Sequence, residues 1–446
     1  MADLTTEFLG IRSPNPFWLA SAPPTDKQYN VERALDAGWG GVVWKTLGAD
    51  GPPVVNVNGP RYGAIHGPDR RLMGFNNIEL ITDRDLETNL REIAEVKRRY
   101  PDRAMIVSIM VPCEEEAWKT ILPRVEDTGA DGIELNFGCP HGMSERGMGA
   151  AVGQVPEYVG MVAGWCKEHG RLPVIVKLTP NITDIRAPAR AAKQGGADAV
   201  SLINTINSIV SVDLDLFAPT PTIDGKGTHG GYCGPAVKPI ALNMVAEIAR
   251  DRETRGLPIS GIGGIETWRD AAEYIALGCG TVQVCTAAMT YGYHIVEDMV
   301  RGLSDYLDER AMTLDDLRGR AVPNVTDWQY LNLNYVTKAR IDQDLCISCG
   351  RCHIACEDTS HQAITKEVDG VRRFEVIDRE CVGCNLCVNV CPVEGCITME
   401  PITGVDPRTG AHTDGSYRNW TTHGNNPMRV EAEQFATDHV VAEPAE

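Results

Sequence analysis

The sequence predicts an α/β protein, a (β/α)8 TIM barrel followed by a small cysteine-rich module. Two observations support this fold class. Eight short apolar runs recur between residues 14 and 290, and each leads into polar or glycine-rich residues and an amphipathic segment. Nine of the fifteen cysteines then fall between Cys346 and Cys396. Continuous apolar runs separated by helical segments are typical of parallel strands that are buried on both faces.

The apolar runs define eight barrel strands. The predicted strands are 16–22, 40–47, 104–111, 132–138, 173–180, 199–205, 258–265 and 281–288. The segments between them predict helices, and in the segment 114–129 we expect Pro123 to kink or locally break the helix. Two connections are long, 48–80 after the second strand and 206–236 after the sixth. Loops of that length in a compact domain are usually functional walls or lids.

The predicted organisation has four parts. The barrel occupies 1–309, a linker 310–340, the cysteine-rich module 341–400 and an irregular tail 401–446. A net charge of −19 argues against nucleic acid or an anionic membrane surface as a partner. No apolar run is long enough to span a bilayer, and the first ten residues hold two acids and no basic residue. We therefore expect a cytoplasmic protein.

The cysteine-rich module repeats one motif, in which four cysteines are separated by two, two and three residues. The copies are Cys346, Cys349, Cys352 and Cys356, then Cys381, Cys384, Cys387 and Cys391. This doubled spacing is typical of bacterial ferredoxins with two [4Fe–4S] clusters, where the fourth cysteine binds the other cluster. The expected ligand sets are Cys346, Cys349, Cys352 and Cys391 for one cluster, and Cys381, Cys384, Cys387 and Cys356 for the other. Zinc is the alternative, but it would need only the C-x2-C pairs. The extra Cys396 is expected to be a small buried hydrophobe.

The C-terminal ends of barrel strands carry the chemistry of this fold, so they locate candidate site residues. Lys45 and Lys177 stand inside apolar strands, where a cation is costly unless an anionic group meets it. Gly263 and Gly264 end the seventh strand and, with the eighth, form the usual phosphate cradle of the fold. These features indicate a flavin mononucleotide (FMN) site, where a lysine can stabilise the anionic reduced ring. Another phosphorylated ligand is the alternative. The attached clusters favour the flavin, which converts single electrons into hydride.

A single cysteine, Cys139, follows the fourth strand on a glycine-rich loop that runs from Asn136 to Gly149. A thiol with an ordinary pKa of about 8.5 is mostly protonated at neutral pH and can act as a general acid. Hydride arriving at one carbon of a conjugated double bond leaves negative charge on the other, which needs a proton from the opposite face. A buried structural cysteine is the alternative, and the strand-end position disfavours it. His141 and Arg146 on the loop have weaker claims.

Four polar side chains fall at the barrel mouth: Asn77, Asn136, Asn204 and Thr205. Because an amide both donates and accepts, several of them could match the alternating C=O, N–H, C=O edge of a pyrimidine. Glu79 could accept a ring N–H. Taken singly, each amide is better explained as a turn or cap residue.

These stretches together resemble the dihydropyrimidine dehydrogenase family, in its flavin-barrel and C-terminal ferredoxin portions. The matching stretches are LNFGCPHGMSERGMGAAVGQ, FNNIELI, VKLTPNITDI, INTINS, GGYCGPAVKPIAL, GIGGIE, VQVCTAAM and the eight-cysteine module. The related dihydroorotate dehydrogenases share the Cys-Pro step but not the HGM-ERGMG continuation. The nicotinamide and FAD half of the long animal enzyme has no match in the sequence. The resemblance is therefore to the pyrimidine-reducing subunit of the bacterial two-subunit form.

The resemblance implies a role for each matched residue, with Cys139 as the proton donor. The implied pyrimidine contacts are Asn77, Glu79, Ile81 through its backbone, Asn136, Asn204 and Thr205. The implied flavin contacts are Ala20, Ser21, Lys45, Asn77, Lys177, Gly234, Gly264, Cys285 and Thr286. Two positions depart from the family pattern. Gly138 stands where a serine often precedes the cysteine, and Cys233 replaces a serine before Gly234.

The sequence therefore predicts a flavin and iron–sulfur oxidoreductase of pyrimidine catabolism. We expect hydride transfer from FMN to C6 of uracil or thymine and protonation of C5 by Cys139. Electrons are expected to arrive through two [4Fe–4S] clusters from an FAD- and NAD(P)-binding partner subunit, in a heterotetramer. One alternative is a dihydroorotate-dehydrogenase-like enzyme fused to a ferredoxin, whose carboxylated substrate would want a cation among the matched substrate positions. The other alternative is a non-catalytic electron-transfer adaptor. The presence of Lys45, Cys139 and Lys177 together argues against it.

Overall fold

The structure is a computed structural model that describes residues 2–49, 54–140, 147–332, 335–410 and 412–413. Two compact units divide the chain, Met1–Val325 and Thr326–Glu446. Within the described ranges, no helix is long and apolar enough to cross a membrane. The ranges predicted from the sequence for barrel, linker, module and tail are finer than this division and stay predictions.

The first unit is a closed barrel of eight parallel strands with further strands around it. Its strands are β1 (Thr6–Phe8), β2 (Ile11–Ser13), β3 (Phe17–Leu19), β4 (Gly41–Leu47), β5 (Tyr62–His66), β6 (Leu72–Asn77), β7 (Ala104–Ile109), β8 (Gly132–Asn136), β9 (Val174–Lys177), β10 (Ala199–Leu202), β11 (Ile206–Ser208), β12 (Val212–Asp213), β13 (Ala218–Pro219), β14 (Gly230–Cys233), β15 (Ile259–Ile262) and β16 (Cys279–Val284). The barrel order is β3, β4, β7, β8, β9, β10, β15 and β16, and β16 pairs with β3 to close it. Each barrel strand overlaps one of the eight predicted runs, so the predicted TIM barrel is confirmed.

The barrel strands are buried on both faces, which explains why their sequences are continuous apolar runs. All seven residues of β4 and all six of β7 are buried. Inward side chains fill the barrel and outward ones pack against the surrounding helices. A polar residue on such a strand therefore stands out as a candidate for the site.

The helices of this unit alternate with the barrel strands. They are α1 (Gln28–Ala37), α2 (Leu86–Arg99), α3 (Glu115–Glu126), α4 (Ala150–Gly153), α5 (Pro156–His169), α6 (Arg186–Gln194), α7 (Lys238–Arg250), α8 (Trp268–Ala276), α9 (Thr286–Tyr291), α10 (Ile295–Glu309) and α11 (Leu314–Leu317). The local break expected at Pro123 does not occur, because α3 continues through it as one element, and the kink stays a prediction. Pro123 lies in the last turn, where the missing N–H costs only one helical hydrogen bond.

The N-terminal hairpin of β1 and β2 covers the end of the barrel where the strands begin. Phe8 and Ile11 pack in one cluster with Ala104 and Ala199, the first residues of β7 and β10. Gly280 leaves room for this hairpin, since a Cβ there would lie 2.8 Å from the Phe8 ring. With this end filled, a ligand has access from the opposite end, where the strands finish.

The two long connections pair with each other. β5 and β6 come from the first, β11 and β14 from the second, and they form a four-stranded antiparallel sheet in the order β11-β14-β6-β5. The register places Asn77 opposite Gly231. The sheet therefore ties the segment that carries Asn77 and Glu79 to the segment that follows Thr205. These connections were predicted to be functional walls, and the structure shows what holds them in place.

The second unit is small. It contains the antiparallel pair β17 (Val336–Ile341) and β18 (Ile397–Ile402), the short helices α12 (Arg351–Glu357) and α13 (Leu386–Val390), and the pair β19 (Gly404–Val405) and β20 (His412–Thr413). Buried Cys352, Cys381 and Cys387 pack around Phe374 in its core. The tail was expected to be irregular, but its first residues form β19 and β20. Residues 414–446 lie outside the described residues.

Candidate functional site

One pocket at the strand ends of the barrel gathers the described candidate site residues of this unit. Its lining includes Ala20, Ser21, Lys45, Asn77, Glu79, Ile81, Asn136, Cys139, Lys177, Asn204, Thr205, Gly234, Gly264, Cys285 and Thr286. The pocket encloses about 1190 Å³ of empty space, including the open solvent at its mouth. His141 and Arg146 lie outside the described residues.

Two lysines lie deep in this pocket, one on β4 and one on β9. Lys45 and Lys177 are each only 5% exposed. The Nζ of Lys45 lies 2.8 Å from Oε1 of Glu79. Arg61, which the sequence analysis did not single out, contacts the same carboxylate at 3.1 Å and donates from Nε to the carbonyl oxygen of Val57. Glu79 is thus held between two cations, which keeps a carboxylate in a largely buried position.

The second lysine faces a buried acid that the sequence analysis also missed. Glu134 on β8 is fully buried, and its Oε1 lies 3.5 Å from Nζ of Lys177. Its Oε2 accepts hydrogen bonds from Ser201 (2.8 Å) and Gln283 (3.0 Å). Within the described residues, Glu134 Oε1 and Gln283 Oε1 have no hydrogen-bond partner. Glu134 Oε1 faces Lys177, whereas Gln283 lines the pocket. Buried polar atoms without partners are rare, so Gln283 Oε1 fits a polar ligand in the pocket.

The amides at the mouth form a connected chain. Asn136 donates from Nδ2 to Thr46 Oγ1 (3.0 Å), and Asn204 donates from Nδ2 to Asn136 Oδ1 (2.9 Å). Asn204 in turn accepts from the backbone N–H of Thr205 at 2.8 Å. Separately, Asn77 donates to the carbonyl oxygen of Gly231 at 2.8 Å. These bonds orient each amide, and an Nδ2 group has a second N–H for a ligand.

Gly138, one of the two departures from the family pattern, meets a steric requirement here. A Cβ at this position would lie 2.3 Å from the Cβ of Asn204 and 2.5 Å from its Nδ2. A serine would therefore displace Asn204, which bonds to Asn136. The observed position of Asn204 therefore requires glycine at position 138.

Cys139 lies at the edge of the pocket in an apolar surrounding. It is 8% exposed and packs with Ile81 and Met110. Its carbonyl oxygen accepts from the N–H of Ala150, the first residue of α4, at 3.0 Å. Gly149 has a φ of 59° and lies so close to this carbonyl oxygen that a Cβ would be 2.8 Å away. The backbone around the thiol is therefore anchored on both sides of the undescribed loop residues.

Glycines bring bare backbone to the other side of the pocket. Gly263 and Gly264 have φ of 130° and 68°, and Gly234 has a φ of 99°. A Cβ on Gly264 would lie 2.9 Å from the backbone nitrogen of Lys238 and 3.0 Å from the carbonyl oxygen of Gly234. Such a close approach of backbone at a strand end is what a phosphate group needs. The residues present therefore fit FMN, with cations for its ring and a glycine cradle for its phosphate.

Two further cysteines, Cys233 and Cys285, line the pocket as neutral thiols at neutral pH. Burial raises the pKa of the Cys285 thiol to about 12, and burial also raises the pKa of Cys233. Both remain neutral thiols, so the second departure from the family pattern, Cys233, adds a small polarisable group rather than a charge.

The second unit contains two cavities that separate its cysteines. One is lined by Cys356, Cys381, Cys384 and Cys387, and the other by Cys346, Cys349, Cys352, Cys391 and Cys396. Each cavity thus combines three cysteines of one motif with the fourth of the other, the arrangement expected for two [4Fe–4S] clusters. All fifteen cysteines fall in described ranges, and none is in a disulfide. Cys396 is buried, as expected, with its thiol near the carbonyl oxygen of Asp342.

Comparisons with known proteins agree with both units. The family model described as dihydroorotate dehydrogenase matches residues 3–307, and the model described as a 4Fe-4S dicluster domain matches residues 339–399. Among solved structures, a dihydroorotate dehydrogenase of Eimeria tenella in complex with ferulenol is similar, with a TM-score of 0.58 and 19% identity. It covers 71% of this chain and 88% of the other. At that identity the likeness supports the barrel fold alone.

Three curated relatives are closer in sequence. The NAD-dependent dihydropyrimidine dehydrogenase subunit PreA of Escherichia coli K12 is 43% identical over 398 residues, which cover 89% of this chain and 95% of the relative. The chloroplastic dihydropyrimidine dehydrogenase (NADP+) of Arabidopsis thaliana is 43% identical, over 73% of this chain and 78% of the relative. The catalytic subunit of dihydroorotate dehydrogenase B (NAD+) of Pyrococcus horikoshii is 35% identical, over 72% of this chain and 98% of the relative.

Fold and site together define an oxidoreductase with an FMN-binding TIM barrel and a ferredoxin module for two [4Fe–4S] clusters. The match to PreA extends over both units, whereas the Pyrococcus match covers 72% of this chain. The chain belongs to the dihydropyrimidine dehydrogenase family.

Proposed function

We propose that this chain is the pyrimidine-reducing subunit of a two-subunit dihydropyrimidine dehydrogenase. The observation that carries the proposal is the single pocket in which Lys45, Lys177 and Cys139 meet a set of oriented amides. Bound FMN would supply hydride to C6 of uracil or thymine, and two [4Fe–4S] clusters would supply electrons one at a time. Residues of this chain would bind the flavin, recognise the pyrimidine and donate the proton.

The flavin would be held by groups on several strands. Lys177 would stabilise the anionic reduced flavin ring, and Glu134, 3.5 Å from its Nζ, would orient this lysine. Lys45 approaches from β4. The backbone at Gly234 and Gly264, with Thr286 at the start of α9, would hold the phosphate. Ala20 and Ser21, at the end of β3, and Cys285 complete the contacts.

The pyrimidine would be recognised by amides at the mouth. Asn136 and Asn204 are oriented by their mutual bond, so each can present an N–H to a ring carbonyl oxygen. The side chains of Asn77 and Thr205 would offer further hydrogen-bonding groups to the ring. The backbone of Ile81 would offer one more. Glu79 would accept a ring N–H, and its contacts with Lys45 and Arg61 hold the carboxylate in position. A neutral ring with alternating donors and acceptors matches these groups.

Cys139 would deliver the second hydrogen. Hydride addition at C6 leaves negative charge that is centred on C5, and a protonated thiol beside that carbon can neutralise it. Cys139 lines the same pocket and packs with Ile81 and Met110, so its side chain is positioned within the proposed site. The chemistry then balances, with one hydride and one proton added across the C5–C6 double bond.

The nearest rival is a dihydroorotate-type enzyme fused to a ferredoxin. Its substrate carries a carboxylate, which would need a cation. In this pocket Lys45 is already paired with Glu79, an acid that would repel a second carboxylate. The alternative of a non-catalytic electron-transfer adaptor does not account for a proton donor and oriented amides in one pocket.

The electron source would be a second subunit that binds FAD and NAD(P). The PreA relative is named a subunit, which supports a partner for this chain as well. We extend this to a heterotetramer of two copies of each subunit, and to a location in the cytoplasm. Uracil and thymine, rather than nucleic acid or a membrane, are the partners that the pocket fits.

A substrate panel tests the proposed function. The anaerobic chain, loaded with FMN and clusters and supplied with reduced viologen, should convert uracil and thymine to their 5,6-dihydro forms. Orotate should react at least about tenfold more slowly, because one tenfold step corresponds to about 1.4 kcal/mol and an unpaired buried carboxylate costs more. Faster reduction of orotate than of uracil would support the rival. No pyrimidine reduction by the fully loaded chain would support the adaptor.

A further inference from the structure

The second unit contains a lysine that is almost completely enclosed. Lys338, on β17, is 0% exposed. Its Nζ donates to the carbonyl oxygen of Cys381 at 2.6 Å and lies 3.0 Å from Oδ1 of Asp406. Asp406 is itself 3% exposed and also accepts from the hydroxyl of Thr409 at 2.7 Å. This is a buried ion pair whose cation bonds directly to a cluster cysteine.

The backbone holds this lysine against one cysteine loop. β17 passes so close to Gly383 that a Cβ there would lie 2.5 Å from the carbonyl oxygen of Thr337, the neighbour of Lys338. Gly383 sits between Cys381 and Cys384 and has a φ of 75°. The loop that carries two cysteines of one set is therefore in direct backbone contact with the strand that carries the charge.

The other cysteine set has a different cation beside it. Arg372 donates from Nε to the carbonyl oxygen of Ser348, between Cys346 and Cys349, at 3.1 Å. Arg372 is exposed, however, and its guanidinium lies over the Phe374 ring at 5.2 Å. Solvent and salt screen an exposed charge, whereas a buried one acts at a lower effective dielectric constant. The two cysteine sets are alike in spacing but differ in their electrostatic surroundings.

A buried ion pair is a weak source of stability, because taking two charges out of water offsets much of their attraction. Two apolar side chains could fill the same space at similar or lower cost. The pair therefore invites an explanation in terms of the charge that it places beside the cluster. A cluster gains negative charge when it is reduced, so a nearby cation favours the reduced form and a nearby anion disfavours it.

We propose that Lys338 and Asp406 set the reduction potential of the cluster held by Cys356, Cys381, Cys384 and Cys387, and so make the two clusters unequal. The inference rests on the iron–sulfur part of the proposed function and is independent of the pyrimidine chemistry. Lys338 raises the potential of this cluster, and Asp406 limits the rise. An electron on the module would then favour the cluster beside Lys338.

The experiment measures each cluster's potential by an anaerobic redox titration followed by electron paramagnetic resonance. Cys384→Ser, which changes a ligand of only one cluster, assigns the signals. Lys338→Met keeps the side-chain length and removes the cation, so the potential of the assigned cluster should become more negative. Asp406→Asn keeps the size and leaves the cation uncompensated, so the same potential should become more positive. The double variant should fall between the single ones.

Arg372→Met is the matched control, because it removes an exposed cation that donates to a backbone carbonyl of the other cysteine loop. It should shift the other cluster less than Lys338→Met shifts its own. Shifts of Lys338→Met and Asp406→Asn in the same direction, or no shift with iron content intact, would overturn the proposal and leave the pair a structural clamp. A shift in the wrong cluster would overturn it too.

Loss of iron from one variant would still leave a test. If Lys338→Met fails to hold its clusters, Asp406→Asn alone decides, because it keeps the polar contact with Thr409. An unchanged potential there contradicts the proposal. A wild-type chain that binds no iron would instead refute the cluster assignment itself, and that result is distinct because no redox signal would appear.

Discussion

Replacing Cys139 with alanine should abolish most of the pyrimidine reduction while leaving uracil binding nearly unchanged. A general acid typically contributes about 10² to 10⁴-fold to a rate, and no other side chain is assigned to protonate C5. The amides that would hold the ring, such as Asn136 and Asn204, are oriented by bonds that do not involve the thiol. Turnover with reduced viologen and the dissociation constant for uracil, measured on the same preparation, separate the two effects.

Cys113→Ala is the matched control for this variant, because it removes a thiol in the same way at a residue that does not line the pocket. It should keep wild-type turnover. If Cys139→Ala retains turnover within a factor of about three, well below the range of general acid catalysis, then Cys139 is not the proton donor. If uracil binding is lost instead, the residue acts in recognition.

The isolated chain should fail to oxidise NADH or NADPH at a useful rate, and addition of the FAD-containing partner subunit should restore NAD(P)H-dependent uracil reduction. The G-x-G-x-x-G match at residues 225–230 lies in the second long connection and leads into β14, whereas a nicotinamide site of the usual type needs this turn between a strand and a helix. The two cluster sites also indicate a donor that acts at a distance rather than by direct hydride transfer. Dihydrouracil formation from NADH, with and without the partner, measures the difference.

Reduced viologen serves as the control for this prediction, since it bypasses the partner. The isolated chain should reduce uracil with viologen at a rate comparable to that of the complex with NADH. Rapid NADH-dependent turnover by the chain alone would contradict the two-subunit account. Inactivity with viologen, in a chain shown to hold its flavin and iron, would instead support the non-catalytic adaptor.

The barrel could be predicted from the sequence because its strands are buried on both faces. That burial turns each strand into an uninterrupted apolar run, a signal that survives without any knowledge of neighbours. The same reasoning located Lys45 and Lys177, since a cation inside such a run is exceptional. The cysteine sets could be predicted because the spacing within each motif is local and regular.

Other parts of the site depend on contacts between distant segments, which a pattern along the chain does not contain. Arg61 lies in a long connection with no periodicity, and only its contact with Glu79 makes it significant. Glu134 stands within an apolar run just as Lys177 does, so the same argument could have found it. The steric link between Gly138 and Asn204 joins residues that follow two different strands, β8 and β10, and it appears only when both are placed.

The pairing of Lys338 with Asp406 was also beyond sequence reasoning. The two residues are far apart in sequence, and Asp406 falls in a stretch that was expected to be irregular. β19 and a turn in which Gly410 donates to the carbonyl oxygen of Asp406 at 2.8 Å hold it in place. A sequence without large apolar residues can still be ordered when one buried ion pair and a few hydrogen bonds anchor it.

Electrons from the clusters should reach the pocket in which pyrimidine would be reduced. The most direct measurement is a single-turnover experiment on the fully reduced chain, freed of reductant, mixed anaerobically with excess uracil. Each product takes two electrons, and a fully reduced chain stores about four, two on the flavin and one on each cluster. The account predicts about two dihydrouracil molecules per chain, with cluster absorbance returning as the second forms. About one product per chain, with clusters that stay reduced, would contradict it.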